Sequence, residues 1–324
     1  MPQQRDGLVE QLSPQVWAHR YSNEIREDFY CRMYTVQERI FSMGQVQETG
    51  LTQTRLVKSS SWWRVLLIGL FFYLATLVAL VLTHNPNLFP TVVMVGSFMI
   101  PVTYVAFFYD HRHLSLLTVP AIARAFIYGG LFGVIAASIL EPIFIRRLDF
   151  ATTFSVGLIE EFVKILGILI IARHMRHDAE MDGLLLGVAA GMGFAALESN
   201  GYAFTAFLRS EGSLSATVFV TLLRGLLSPI GHGTWTAILT SVLFRESRAG
   251  HFRFNFKVIG AYLTVSILHG LWDGLPGTIT VLFGPGLDVF AGQATIGLIG
   301  FFILWRRWRE AKRLQMESLA INES

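Results

Sequence analysis

Between residues 64 and 305 the chain alternates long apolar runs with short polar connections. Crossing a bilayer as a helix takes about 20 predominantly apolar residues. Eight stretches meet that need: 64–83, 91–109, 121–141, 150–172, 183–207, 215–244, 256–275 and 286–305. They are too long for barrel strands and lack a period of two. The pattern therefore predicts an all-α, polytopic membrane helix bundle of about eight transmembrane helices. Residues 1–60 hold no comparable run. Charges mix there with Trp17, Phe29, Tyr30 and Tyr34, so this segment reads as a cytoplasmic N-terminal extension, and no signal peptide is expected. A membrane domain over 61–305 and a basic cytoplasmic tail over 306–324 complete the expected organisation.

Composition sharpens this picture. Of 324 residues, 52% are apolar and 15% charged, and mean hydropathy is +0.49. Soluble domains carry about 25% charged residues, so a soluble globular enzyme, a disordered chain and a fibrous one are all excluded. The net charge of +3 does not point to nucleic acid, because the basic residues lie at the ends of the spans. With a cytoplasmic N-terminus, the inner loops and tail carry Arg112, Arg173, Arg176, Arg245, Arg248, Arg253, Lys257, Arg306, Arg307, Arg309, Lys312 and Arg313. The outer loops carry only Arg146, Arg147 and Arg209. The positive-inside rule then places both termini in the cytoplasm. Trp62, Trp63, Trp305 and Trp308 stand where interfacial aromatic anchors belong. The single cysteine, Cys31, excludes an internal disulfide and a cysteine-based zinc site.

The strongest functional signal is ionisable side chains at membrane depth, each costing roughly 2.5–3.5 kcal/mol on insertion scales. The first two spans hold none. The fourth holds Glu160, Glu161 and Lys164; the fifth, Glu198; the sixth, Arg224 and His232; the seventh, His269 and Asp273. Four consecutive spans thus share the cost, which predicts one common polar cavity. At 1.5 Å per residue, Glu160 lies ~15 Å along its span. The corresponding depths of Glu198 and His269 put the cavity in the outer half of the bilayer. Pro229, with Gly225, Gly231 and Gly233 around it, is suited to breaking the sixth span and repositioning His232.

Spacing leaves alternatives open. Glu160 and Lys164, four apart, share a face and suit a structural ion pair, but Glu161 points ~100° away and needs another partner. His269 and Asp273 also share a face, as metal ligands, as a His–Asp hydrogen bond or as a packing contact. Arg224 reads as a partner for a carboxylate. Glycines 183, 187 and 191, and 129 and 133, have the small-xxx-small spacing of close helix packing.

The ordered set Glu160-Glu161-x-x-Lys164, Phe194-x-x-x-Glu198, Arg224 with Ser228-Pro229-x-x-His232, and His269-x-x-Trp272-Asp273 resembles the PrsW family of intramembrane proteases. That family shares a superfamily with the CAAX prenyl endopeptidases and bacteriocin-immunity membrane proteins. The resemblance covers roughly residues 65–305. It departs from the family pattern where Ser199, rather than Asn, follows Glu198, with Asn200 one place later. The resemblance implies an endopeptidase of the cell membrane that hydrolyses single-span membrane proteins, such as anti-sigma factors, near the outer face. Glu160 or Glu161 would be the general base. His232 and His269, with Glu198 or Asp273, would hold a metal or orient the water and stabilise the oxyanion, with Lys164, Arg224 and Trp272 in support. The chain lacks the His-Glu-x-x-His zinc motif, yet two histidines and a carboxylate suit zinc. A metal-free, glutamate-activated water, argued for the CAAX enzymes, remains the alternative. Two other functions share some of these features: a proton-coupled transporter, and a catalytically silent member that binds a partner. The one-sided distribution of polar residues and the lack of an evident repeat disfavour the transporter.

Overall fold

A computed structural model of the protein describes residues 61–112, 115, 117–147, 149–173, 179–247, 251–283 and 288–322. The expected extension over 1–60, Cys31, Arg176 and Arg248 lie outside them. Among the described residues eight helical spans follow one another: α1 (Trp62–Thr83), α2 (Phe89–Asp110), α3 (Val119–Phe144), α4 (Phe150–Ala172), α5 (Glu180–Arg209), α6 (Leu214–Glu246), α7 (Phe256–Phe283) and α8 (Thr295–Asn322). No β-strand occurs among the described residues. Six of these spans are both long and apolar enough to cross a membrane. The other two are α4, which carries Glu160, Glu161 and Lys164, and α8, which carries the basic tail.

Three expected boundaries differ. α7 runs beyond 275 to Phe283. A π-helical turn, Asp288–Ala294, leads into α8, which starts later than 286 and runs through the tail to Asn322. The tail stays helical because part of it is packed: Ala311 is buried, and Trp308 meets Phe108 edge-on at 4.9 Å. Arg307 pairs with Glu180 at 2.6 Å and donates to Ser241 Oγ, tying α8 to α5 and α6.

Local chemistry sets the ends that position the site. Asp149 caps α4, accepting from the Thr152 backbone N–H at 3.0 Å, while Thr152 Oγ1 accepts from Asp149 N–H at 2.7 Å. The Thr152 N–H holds the exposed Asp149 carboxyl below the usual carboxylate range, so this cap is lost as pH falls through that lowered value. At the far end of the chain's first hairpin, Asp110 accepts from the N–H of Trp62 and from Ser61, placing a carboxylate at the start of α1.

α6 is broken. Its first segment, Leu214–Leu227, ends in a tight turn over Ser228–Ile230, and a second segment, His232–Glu246, starts afresh. Proline at 229 has no N–H to extend the ladder. Thr234 Oγ1 takes up the freed Pro229 carbonyl at 2.7 Å. His232 therefore opens a new helix inside the bundle. The close-packing glycines bring α5 against this second segment: a Cβ at Gly191 would strike the His232 carbonyl, and one at Gly187 the Thr240 side chain. Gly157 does the same for α4 and α7, lying against the backbone of Ser266 and the Cβ of His269.

Candidate active site

Lys164 is the hub. Its side chain is fully buried, and its ammonium donates to Glu160 Oε2, Glu161 Oε1 and His232 Nδ1, each at 2.9 Å. The Phe194 ring lies over it at 4.0 Å. An ammonium offers only donors, so His232 Nδ1 is the acceptor. His232 then carries its proton on Nε2, which lies 2.9 Å from Glu198 Oε2. Glu198 also pairs with Arg224 at 2.8 Å, and Arg224 Nε donates to Ser199 Oγ at 3.2 Å.

Glu161 points the other way, as its place in the helix requires. It is wholly buried and accepts from Lys164, from Thr236 Oγ1 at 3.2 Å and from His269 Nδ1 at 3.1 Å. These three donors engage both carboxylate oxygens and fix the His269 tautomer, with the proton on Nδ1 and the Nε2 lone pair turned out. That Nε2 lies 3.5 Å from both Glu160 Oε2 and Asp273 Oδ2. His232 and His269 face each other edge-on with ring centroids 5.1 Å apart. Behind them Trp235, fully buried, stacks on His269 at 4.5 Å and meets Trp272 at 5.4 Å.

A cavity of about 340 Å³ opens onto this cluster, lined by Glu160, Glu198, His232, Trp272 and Asp273 together with Arg224, Tyr202 and Glu141. It lies at the end of the bundle where α3 gives way to α4. Every expected site residue is thus drawn to one place. Glu160, Glu198, His232 and Asp273 reach the cavity wall; Glu161 and Lys164 stand behind it; His269 bridges the two layers. Ligand atoms of Glu160, His232 and His269 all lie within 4.8 Å of one another and are buried. Glu198 and Asp273, the carboxylates that the resemblance implies beside the histidines, each reach one imidazole. Three participants stand outside the motifs: Glu141; Trp235, three places after His232; and Tyr202, four places after Glu198, whose ring lies 3.9 Å from the Arg224 guanidinium.

A family profile described as PrsW family intramembrane metalloprotease matches residues 118–305. The chain belongs to the PrsW family. A curated relative named Protease PrsW, from Halalkalibacterium halodurans, is 27% identical over 175 residues, spanning 52% of this chain and 76% of the relative. No solved structure matches. The protein is a multi-pass membrane endopeptidase of the PrsW family, and the polar cluster sits wholly within the matched residues. Helices α1 and α2 precede them, so the family match is narrower than the 65–305 suggested by the motifs.

Proposed function

We propose that this endopeptidase cuts single-span membrane proteins, such as anti-sigma factors, near the outer face of the cell membrane, with Glu160 activating the attacking water. The observation that carries this reading is the division of labour in the glutamate pair. Glu161 has both oxygens bonded and no exposure, so it positions His269. Glu160 lines the cavity, and its neighbours Lys164, His232 and His269 all lie on Oε2. Its other oxygen has no partner among the described residues and is free to take a proton.

Attack then runs as follows. Water in the cavity adds to the peptide carbonyl carbon while Glu160 takes its proton. The new oxyanion is stabilised by the positive charge of the Arg224 guanidinium on the wall. Collapse breaks the C–N bond, and Glu160 returns the proton to the departing amine. Trp235 and Trp272 hold the imidazoles in register throughout. Two imidazoles and a carboxylate fit zinc by donor chemistry. Glu160, His232 and His269 would hold the ion, His232 trading its Lys164 contact for it. When bound, zinc would supply a more acidic water and a polarised carbonyl.

With the termini in the cytoplasm, the cavity end of the bundle faces outward, giving water a short path. A peptide bond must leave its helix before attack, so substrates should carry a helix-breaking juxtamembrane segment on that side. Purified protein in proteoliposomes is expected to cleave such a tethered substrate. Glu160→Gln should lower the rate by about 10²–10⁴-fold while thermal unfolding is unchanged. Metal analysis of the same preparation, with chelation and zinc add-back, tests the ion. Cleavage that survives Glu160→Gln overturns the assignment of the base; ion-driven uptake without cleavage returns the transporter reading.

A further inference from the structure

One ionisable side chain on the cavity wall has no task in that scheme. Glu141, near the end of α3, lines the cavity and is half-buried. The other carboxylates there are partnered: Glu160 by Lys164, Glu198 by Arg224 and His232, Asp273 by His269. Glu141 has no hydrogen bond or ion pair through its side chain among the described residues. Arg146 and Arg147, in the connection that follows, are exposed and do not pair with it.

Its setting says what would pair with it. Val134, Ala137, Ser138 and Glu141 all line the cavity and stand at i, i+3, i+4 and i+7, one stripe of one helix face. The stripe begins apolar and ends in a carboxylate. That profile matches a long aliphatic stem with a cationic head, which buries its methylenes and keeps its charge at the polar end. An acidic side chain entering there would instead meet Glu141, Glu198 and Asp273. The cations of the site, Lys164 and Arg224, are already taken up.

We propose that Glu141 is a specificity-determining residue, selecting substrates that carry a lysine or arginine beside the bond to be cleaved. The inference rests on the hydrolytic reading, and its test separates the two. The probe is a single-span Leu/Ala helix with a Gly-Pro-containing outer segment, carrying Lys, Gln or Glu in turn at each position flanking the cut. Binding is read by photo-crosslinking to full-length Glu160→Gln protein in vesicles of neutral lipid; turnover is read with the unaltered protein. The Lys probe should bind about tenfold better than the Gln probe, the scale of one charge-assisted hydrogen bond. Adding Glu141→Gln should erase that ratio, and Glu141→Lys should turn the preference toward the Glu probe. Because Glu141 holds no partner, these changes remove no contact from the fold. Equal crosslinking of all three probes, or an equal loss on all three with Glu141→Gln, overturns the proposal. A Lys preference in binding without turnover by the unaltered protein upholds it and sinks the hydrolytic reading instead.

Discussion

Helix α1 has a mean hydropathy of 2.8 with 6% of its most apolar stretch buried, whereas α5 has 1.4 with 89% buried. In water this order would be reversed, since apolar side chains are driven inward. In lipid there is no such drive between apolar faces. Leucine and phenylalanine on α1 are at home outside the bundle: Leu82, Phe71 and Ile68 are all exposed. What must find partners are backbone surfaces that glycine brings close, and groups that hydrocarbon cannot solvate. α5 supplies both, through Gly183, Gly187 and Gly191 and through Glu198. Burial in this protein therefore tracks polarity and small size, and the active site lies where those requirements are most concentrated.

Lys164 gives that comparison its severest trial. Its ammonium is the only described cation touching both Glu160 and Glu161, and all three are buried. Lys164→Met should cost about 3–5 kcal/mol, the usual penalty for orphaning a buried charge, read by unfolding in mixed micelles. It should also abolish cleavage, because His232 loses the donor that sets its tautomer. The double variant Lys164→Met with Glu161→Gln should recover part of the stability and none of the activity. If the single variant unfolds like the parent, the cluster is wet and solvated, and the contrast between α1 and α5 loses its electrostatic half.

Much of this was legible in the sequence, for reasons that differ by element. The eight spans show as apolar runs because hydrocarbon thickness sets a minimum length. The site shows as ionisable residues in α4 to α7 because each carries a cost that needs a return. Pro229 announced the break that lets His232 begin a helix. Other features were hidden. The tail beyond 305 reads as solvated and basic, yet Arg307 pairs with Glu180 and Ala311 packs inside; residue type does not reveal which face of a helix leaving the membrane still touches the bundle. Glu141 closes the run 121–141, where an acid is unremarkable, and only the cavity distinguishes it. Trp235 looks like any core aromatic until His269 is found stacked on it. The shared role of the two glutamates was also unreadable, since the choice between them rests on which one faces the cavity.

The packing half of the comparison is tested at Gly191. A Cβ there would lie 2.9 Å from the His232 carbonyl carbon and 3.0 Å from Thr236 Oγ1. These are backbone and a fully buried side chain, with little room to yield. Gly191→Val should cost about 1–3 kcal/mol by overpacking, and it should lower cleavage further than stability because the displaced atoms belong to His232. Gly69 on α1 is the control, since its nearest neighbour is the flexible Met99 side chain. Gly69→Ala should be milder in both measurements.

The smallest effect is expected on α1 itself. Leu82 is 75% exposed, so in a bilayer its neighbours are acyl chains. Leu82→Ala exchanges contacts with lipid for other contacts with lipid and leaves no cavity. Stability in mixed micelles should change by less than about 0.5 kcal/mol, as at other sites outside the packed interior. The same truncation of a buried leucine on α5, Leu184, should cost about 2–5 kcal/mol through the void it leaves. A loss at Leu82 approaching that at Leu184 would mean that the face is covered by protein in the membrane. The high hydropathy of α1 would then reflect a partner's surface, and its outward apolar face would have to be explained by assembly.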